Sequence, residues 1–262
     1  MLETEPREPG AGTGAVLVAT LSEAGPVRPA NEDSCGYRVA ASATTTTLVA
    51  VADGVSGYKA ADVASQMAIS VTLEAYDRQS SARPEVRLAR AAQEANVAIF
   101  DRAMIVPELR GMATTLTAIA IVGDHLSAAH VGDSRLYLVR GGRALQLTKD
   151  HRSGKVMLTR SVGRELIVAI DKITRPLEAG DVLVLCTDGV HNVLPDADLA
   201  RLVAGVDPQR ACRAILDAAL AGGADDNVTV AVVDPRSTGV PRAREAGLGD
   251  RLRRLVKRGS TR

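Results

Sequence analysis

Residues 48–57 read Leu48-Val-Ala-Val-Ala-Asp-Gly-Val-Ser-Gly57, five apolar residues that end in a carboxylate and a glycine. The run has the length and the small, branched content of a buried strand, and Gly54 follows where the chain must turn sharply. Asp53 is therefore expected at the mouth of a core. The same design returns at Val182 to Cys186, followed by Thr187, Asp188 and Gly189. Asp133 lies between two apparent strands, and Asp226 precedes the last one. One such aspartate is ordinarily part of a plain turn. Several at the ends of apolar strands would repel one another and resist burial unless a cation compensates. Oxygen donors without His or Cys favour Mg²⁺ or Mn²⁺ over zinc.

Outward from this run, strands are predicted at 16–21 and 35–41, separated by a turn-rich passage containing Gly25, Pro26 and Pro29. Residues 60–76 place Val63, Met67, Val71 and Ala75 on one helical stripe, widened by Ala64, Ala68 and Ile69. A second helix is predicted from Pro84 to about Met104, with Leu88, Ala91, Ala95 and Ile99 inward. Strands at 114–122, 126–131 and 135–139 are separated by Gly123-Asp124 and Gly132-Asp133, hairpin-length spacings that imply antiparallel pairing. Further strands are expected at 166–173, 182–186 and 228–233. Asp196 and Asp207 are expected to cap two helices, the second stopped by Gly222-Gly223.

The chain has 262 residues, 46% of them hydrophobic, and no internal linker, so one large domain is expected. Lys plus Arg number 32 against 31 for Asp plus Glu, and there is no Trp and one Phe, which argues against a nucleic-acid partner. Three dispersed cysteines, Cys35, Cys186 and Cys212, indicate neither a disulfide framework nor a thiolate zinc site, and a reducing cytoplasm is the simplest home. No apolar run approaches the roughly 18 to 20 residues of a transmembrane segment. Residues 1–14 read as a flexible tail, 15–235 as the single folded domain, and 236–262 as a basic tail.

Eight motifs occur in order: Arg28-Pro-Ala-Asn-Glu-Asp33, Val51-Ala-Asp-Gly-Val-Ser-Gly57, Thr114-Thr115, Val131-Gly-Asp-Ser-Arg135, Leu147-Thr-Lys-Asp-His151, Leu158-Thr-Arg-Ser-Val-Gly163, Cys186-Thr-Asp-Gly189 and Asp226-Asn-Val-Thr229. Each is weak alone, but the ordered set, from about Ala15 to Asp234, resembles the metal-dependent Ser/Thr protein phosphatases of the protein phosphatase 2C family. The resemblance implies an α+β fold, a four-layer αββα sandwich of two antiparallel sheets flanked by helices, with a binuclear metal cleft at one end.

By the same resemblance, Asp53 bridges two Mn²⁺ or Mg²⁺ ions. Asp188 and Asp226 complete the ligands of the first, while Glu32, Asp33 and the carbonyl oxygen of Gly54 hold the second. Asp133 matches a ligand of a third, weaker ion. The implied reaction is hydrolysis of phosphoserine and phosphothreonine by a metal-bridging hydroxide, without a phosphoenzyme. Arg28 suits a phosphate clamp, because a guanidinium offers two parallel donors. The implied partners are phosphorylated proteins and a cognate Ser/Thr kinase or its targets. The alternative is a noncatalytic module that keeps the fold to bind a kinase or regulator.

Two departures from the family pattern stand out. The usual histidine in or after the Asp53 turn is absent, with Val55 there and Tyr58 at its end, and Tyr58 is a poor acid at an unperturbed pKa near ~10. His151 reads as structural. Second, only residues 152–157 separate His151 from Leu158, where bacterial relatives usually insert a helical flap. A short-flap branch and a removed segment both account for this, and either should alter selectivity more than metal binding.

Overall fold

The computed structural model describes residues 16–41, 45–55, 60–79, 83–154 and 157–235. Both tails expected from the sequence, and Tyr58, lie outside them. In chain order the elements begin with β1 (Leu17–Glu23), β2 (Asp33–Arg38), β3 (Thr47–Asp53), α1 (Ala61–Arg78) and α2 (Pro84–Ile105). They continue with β4 (Leu116–Val122), β5 (His125–Val131), β6 (Arg135–Arg140), β7 (Arg143–Gln146), β8 (Arg152–Ser153), β9 (Met157–Leu158) and β10 (Asp171–Pro176). β11 (Val182–Cys186), α3 (Asp188–His191), α4 (Asp196–Val203), α5 (Pro208–Ala221) and β12 (Val228–Asp234) are the last among the described residues.

The strands form two antiparallel five-stranded sheets, ordered β1-β12-β11-β6-β7 and β10-β5-β4-β3-β2. Side-chain alternation along a strand explains why both sheets are covered on two faces. In β3, Leu48, Ala50 and Ala52 pack with Ala64, Ala68, Leu88 and Ile99 of α1 and α2. Val49 and Val51 face the other way and meet Leu136, Leu183, Leu185 and Ala231 of the opposite sheet. That sheet turns Val184, Val230 and Val232 toward Leu199, Ile215 and Leu216 of α4 and α5. The four layers are therefore helix, sheet, sheet and helix, as the motifs implied.

Several boundaries differ from the sequence reading. β2 begins at Asp33 rather than 35, so Asp33 is a strand residue opposite Asp53. The 166–173 strand shrinks to β10, because Asn96 and Gln93 of α2 hold the 165–166 backbone in an irregular path: Asn96 Nδ2 donates to the Glu165 carbonyl at 2.8 Å. The innermost stripe of α1 runs through Ala64, Ala68, Thr72 and Ala75, with Val63, Met67 and Val71 only half-buried beside it. Small residues there let the helix approach the sheet closely. Asp196 starts α4 without capping it, whereas Asp207 accepts from the Gln209 N–H at 2.9 Å as expected.

At the position where the sequence reading expected the flap to be missing, β8 and β9 pair antiparallel over two residues each. Leu185 is wholly buried at the centre of the inter-sheet layer, so Leu185→Ala should cost about 3 kcal/mol, read as a lower midpoint in urea unfolding.

Candidate metal centre

The inter-sheet layer changes character along each strand. Following every second residue, Val49 and Val51 give way to Asp53, and Ile121 and Ile119 to Thr117 and Thr115. Leu183 and Leu185 lead to Thr187, and Val233 and Ala231 to Thr229. The aliphatic ends fill the core, and the polar ends collect at one edge of the sandwich.

Asp33 and Asp53 are direct partners in the β2–β3 ladder, which places their Cα atoms about 4.5–5.5 Å apart. Asp33 spans the gap between the sheets, with its Oδ2 accepting from the Thr187 hydroxyl at 2.8 Å. The Thr187 oxygen in turn accepts from the Thr229 N–H at 3.1 Å. Asp53 is fixed through its backbone. Its carbonyl accepts from the Thr115 N–H and the Thr114 hydroxyl, both at 2.8 Å, and its own N–H donates to the Thr115 hydroxyl at 2.9 Å.

Two glycines are required by close approach. A Cβ on Gly54 would stand 2.5 Å from the Ala61 carbonyl and 2.7 Å from that of Glu32, and one on Gly189 would stand 2.1 Å from the Asn227 carbonyl. Asn227 then binds the 24–32 loop: its Nδ2 donates to the Ala24 and Ala30 carbonyls at 2.9 Å, and its Oδ1 accepts from the Glu32 N–H at 2.8 Å. That loop carries Arg28 to Asp226, where Nη2 and Oδ2 lie 2.7 Å apart.

Burial raises the Asp53 carboxyl well above the usual carboxylate range, and the charge of Asp33 is the next contributor, followed by Asp188, Asp133 and Asp226. Burial likewise lifts Asp33 to about 7, against the hydroxyls of Thr229 and Thr187, and lifts Asp188 to about 6 with Asp226 and Asp133 adding to it. Asp133 is raised mainly by burial and restrained by Arg152 at 3.4 Å. Five carboxylates thus sit in electrostatic reach of one another, and an oxygen-only donor set of this kind fits hard divalent cations. Among the described residues no three acidic, histidine or cysteine side chains close round a single point, and Asp226 and Asp133 turn toward the arginines.

His151 is buried structure, as expected. Its Nδ1 accepts from the Gly132 N–H at 3.1 Å, which leaves Nε2–H for Asp171, also at 3.1 Å. His191, which the sequence reading passed over, donates from Nε2 to the Asp133 carbonyl at 3.0 Å and so ties α3 to the turn carrying Asp133. Thr187, Thr229 and Asn227 were quoted in motifs without a role. Their signal was alternation: Thr187 follows β11, Asn227 precedes β12 and Thr229 is its second residue, each on the alternating positions that lead to the carboxylates. Asp188 opens a short helix rather than a plain turn.

The chain matches the Protein phosphatase 2C family over residues 29–221, and it belongs to that family. It is 33% identical over 238 residues to the serine/threonine protein phosphatase PstP of Mycobacterium tuberculosis, covering 82% of this chain and 44% of that protein. The chain therefore spans less than half the length of that relative. It is 31% identical to the serine/threonine phosphatase stp of Listeria innocua, covering 81% of this chain and 93% of the relative. Among solved structures, the M. tuberculosis PstP/Ppp phosphatase superposes with a TM-score of 0.75 at 31% identity, over 84% of this chain and 98% of that one. The PstP catalytic domain in complex with two manganese ions gives 0.74 at 32% identity, over the same shares.

A carboxyl whose folded pKa lies near 7, against 3.8 unfolded, stabilises the fold when protonated, a contribution fully present below 3.8 and lost progressively as pH rises to about 7. Without divalent cations, Asp33→Asn should therefore raise the thermal midpoint relative to the parent at pH 8 and raise it clearly less at pH 5. A gain equal at both pH values would show that the buried charge is not its source.

Proposed function

We propose that this chain is a Mn²⁺-dependent phosphatase acting on phosphoserine and phosphothreonine of protein substrates, with residues 15–235 as its catalytic unit. The observation that carries this reading is the cluster of carboxylates at one edge of the inter-sheet layer, with Asp33 and Asp53 paired directly across β2 and β3. The family to which the chain belongs, and the manganese in a relative of similar fold, support it.

In this reading Asp53 is shared by two ions, Mn²⁺ or Mg²⁺. Asp188 and Asp226 complete one site, while Glu32, Asp33 and the Gly54 carbonyl serve the other. Asp133 serves a third, weaker site. When bound, the cations neutralise the carboxylates and activate water for attack on phosphorus. The chain's own residues set the frame for that chemistry. Thr114 and Thr115 fix the Asp53 backbone, and Thr187 orients Asp33. Arg28, held at the rim by Asp226, offers paired donors to two phosphate oxygens. Every ligand position that the family pattern calls for is filled, which opposes the reading as a noncatalytic module.

Hydrolysis of a phosphothreonine peptide should require Mn²⁺ and stop with chelator, and Asp53→Asn and Asp188→Asn should each lower kcat by roughly two orders of magnitude or more. Turnover that persists in chelator would sink the proposal. Arg28→Ala should reduce kcat/KM by about tenfold or more, with Arg28→Lys recovering only part of it, because an ammonium cannot supply two parallel donors.

A further inference from the structure

Arg152 stands at the edge of the carboxylate cluster without a part in the ligand set, and the backbone puts it there. The His151 N–H donates to the Gly132 carbonyl at 2.8 Å, and the Gly132 N–H returns to His151 Nδ1 at 3.1 Å, so residue 151 is locked against the residue before Asp133. The Thr159 N–H donates to the His151 carbonyl at 2.8 Å, and Arg152 pairs directly with Leu158 across β8 and β9. Only residues 152–157 lie between His151 and Leu158. The strand leaving the cluster is therefore met at once by the strand returning to it, and Arg152 is kept beside Asp133.

The Arg152 Nη1 lies 3.4 Å from the Asp133 Oδ2, with the two side chains 21% and 13% exposed. Asp133 is its ion-pair partner among the described residues, because other nearby carboxylates are taken. Asp150 is held by Arg135 through three contacts of 2.8 to 3.2 Å, and Asp171 by Arg160 at 2.7 Å. The Arg152 charge also reaches Asp188, where it opposes the rise that burial, Asp226 and Asp133 impose. At this end of the cluster the guanidinium thus serves as a cation serves, offsetting one carboxylate and easing its repulsion of the next.

Its grip is loose. One long contact, set against the forked Arg135–Asp150 pair, leaves Asp133 free to change partner. A divalent ion on Asp133 would lie within a few ångströms of the guanidinium at a site poor in water, where like charges repel strongly. Arg152 must therefore withdraw before Asp133 can serve as a metal ligand.

We propose that Arg152 is a resident counter-cation that stands in the place of the third ion at Asp133 and competes with it, so that this chain loads two ions and leaves the third site unfilled until Mn²⁺ is far more abundant. The inference rests on the phosphatase reading and its metal set. It makes the short 152–157 connection bear on metal loading itself, beyond the selectivity expected of a lost flap. Arg152 is a positioning residue, acting through Asp133.

The test is calorimetric titration of the full chain with Mn²⁺ at fixed pH, with free Mn²⁺ counted by electron paramagnetic resonance. The parent should take up two ions, followed by a much weaker third event. Arg152→Gln, which keeps the stem and removes the charge, should tighten that third event about tenfold, while Arg152→Lys should stay closer to the parent. Lys149→Gln removes the same charge from an exposed position on the same segment and should change nothing. Adding Asp133→Asn to Arg152→Gln should abolish the gain. A third event equally weak in Arg152→Gln and the parent, or a gain that survives Asp133→Asn, would overturn the inference and leave the two-ion reading intact. No Mn²⁺ uptake by the parent would overturn the metal-dependent phosphatase reading and this inference with it. Thermal midpoints separate both from a folding defect: Arg152→Gln should be less stable than the parent without Mn²⁺ and recover as the third site fills. A loss that Mn²⁺ does not reverse would mark Arg152 as structural and overturn its role as a stand-in.

Discussion

The constraint on which the structure depends is the placing of like charges between two sheets that are otherwise aliphatic. Carboxylates at such a depth lose hydration, and each raises the cost of ionising the next. The fold gathers these charges at one edge of the inter-sheet layer and fills its centre with Val49, Val51, Ile119, Leu183 and Leu185. A rigid, close-packed slab thus holds the aspartates where relaxation could not easily separate them.

Around this edge, hydroxyls and amides do the positioning. Thr187 reaches from one sheet to Asp33 on the other, and Thr229 reinforces it from the next strand. Thr115 binds both the backbone of Asp53 and the hydroxyl of Ser134, at 2.6 Å, beside the turn carrying Asp133. These are short side chains on stiff strands, so each hydrogen bond fixes the frame around the carboxylates with little conformational freedom left to lose. The glycines at 54 and 189 let the backbone of one segment lie against the carbonyls of another, which any side chain would prevent.

Most of the architecture was legible in the sequence because period-two and period-3.6 patterns report burial directly. β3, β11 and β12 read as strands from their aliphatic runs, and α2 showed its inner face in Leu88, Ala91, Ala95 and Ile99. What was not legible came from tertiary hydrogen bonds. The 166–170 stretch is apolar enough for a strand, yet Asn96 and Gln93 hold its backbone to a helix instead. β7 is short and half-exposed, with little pattern to read. At the site, the carboxylates were visible as strand-end aspartates, whereas the roles of Thr187, Asn227 and His191 depend on partners 154, 195 and 58 residues away. No local window contains such information.

Asn227 joins the loop after β1 to the strand that closes the chain, and β12 lies in the interior of its sheet, between β1 and β11. The cluster is therefore incomplete until β12 has been made, because its contacts join segments far apart in sequence. During synthesis β1, β2 and β3 emerge early, but Asp33 and Asp53 lack the opposing sheet edge until Thr187 and Thr229 have arrived and β12 has slotted in. A partly made chain keeps these carboxylates in water, where they are ordinary acids. The site comes into being with the last strand, so the competence to gather cations is itself a signal that the fold is complete.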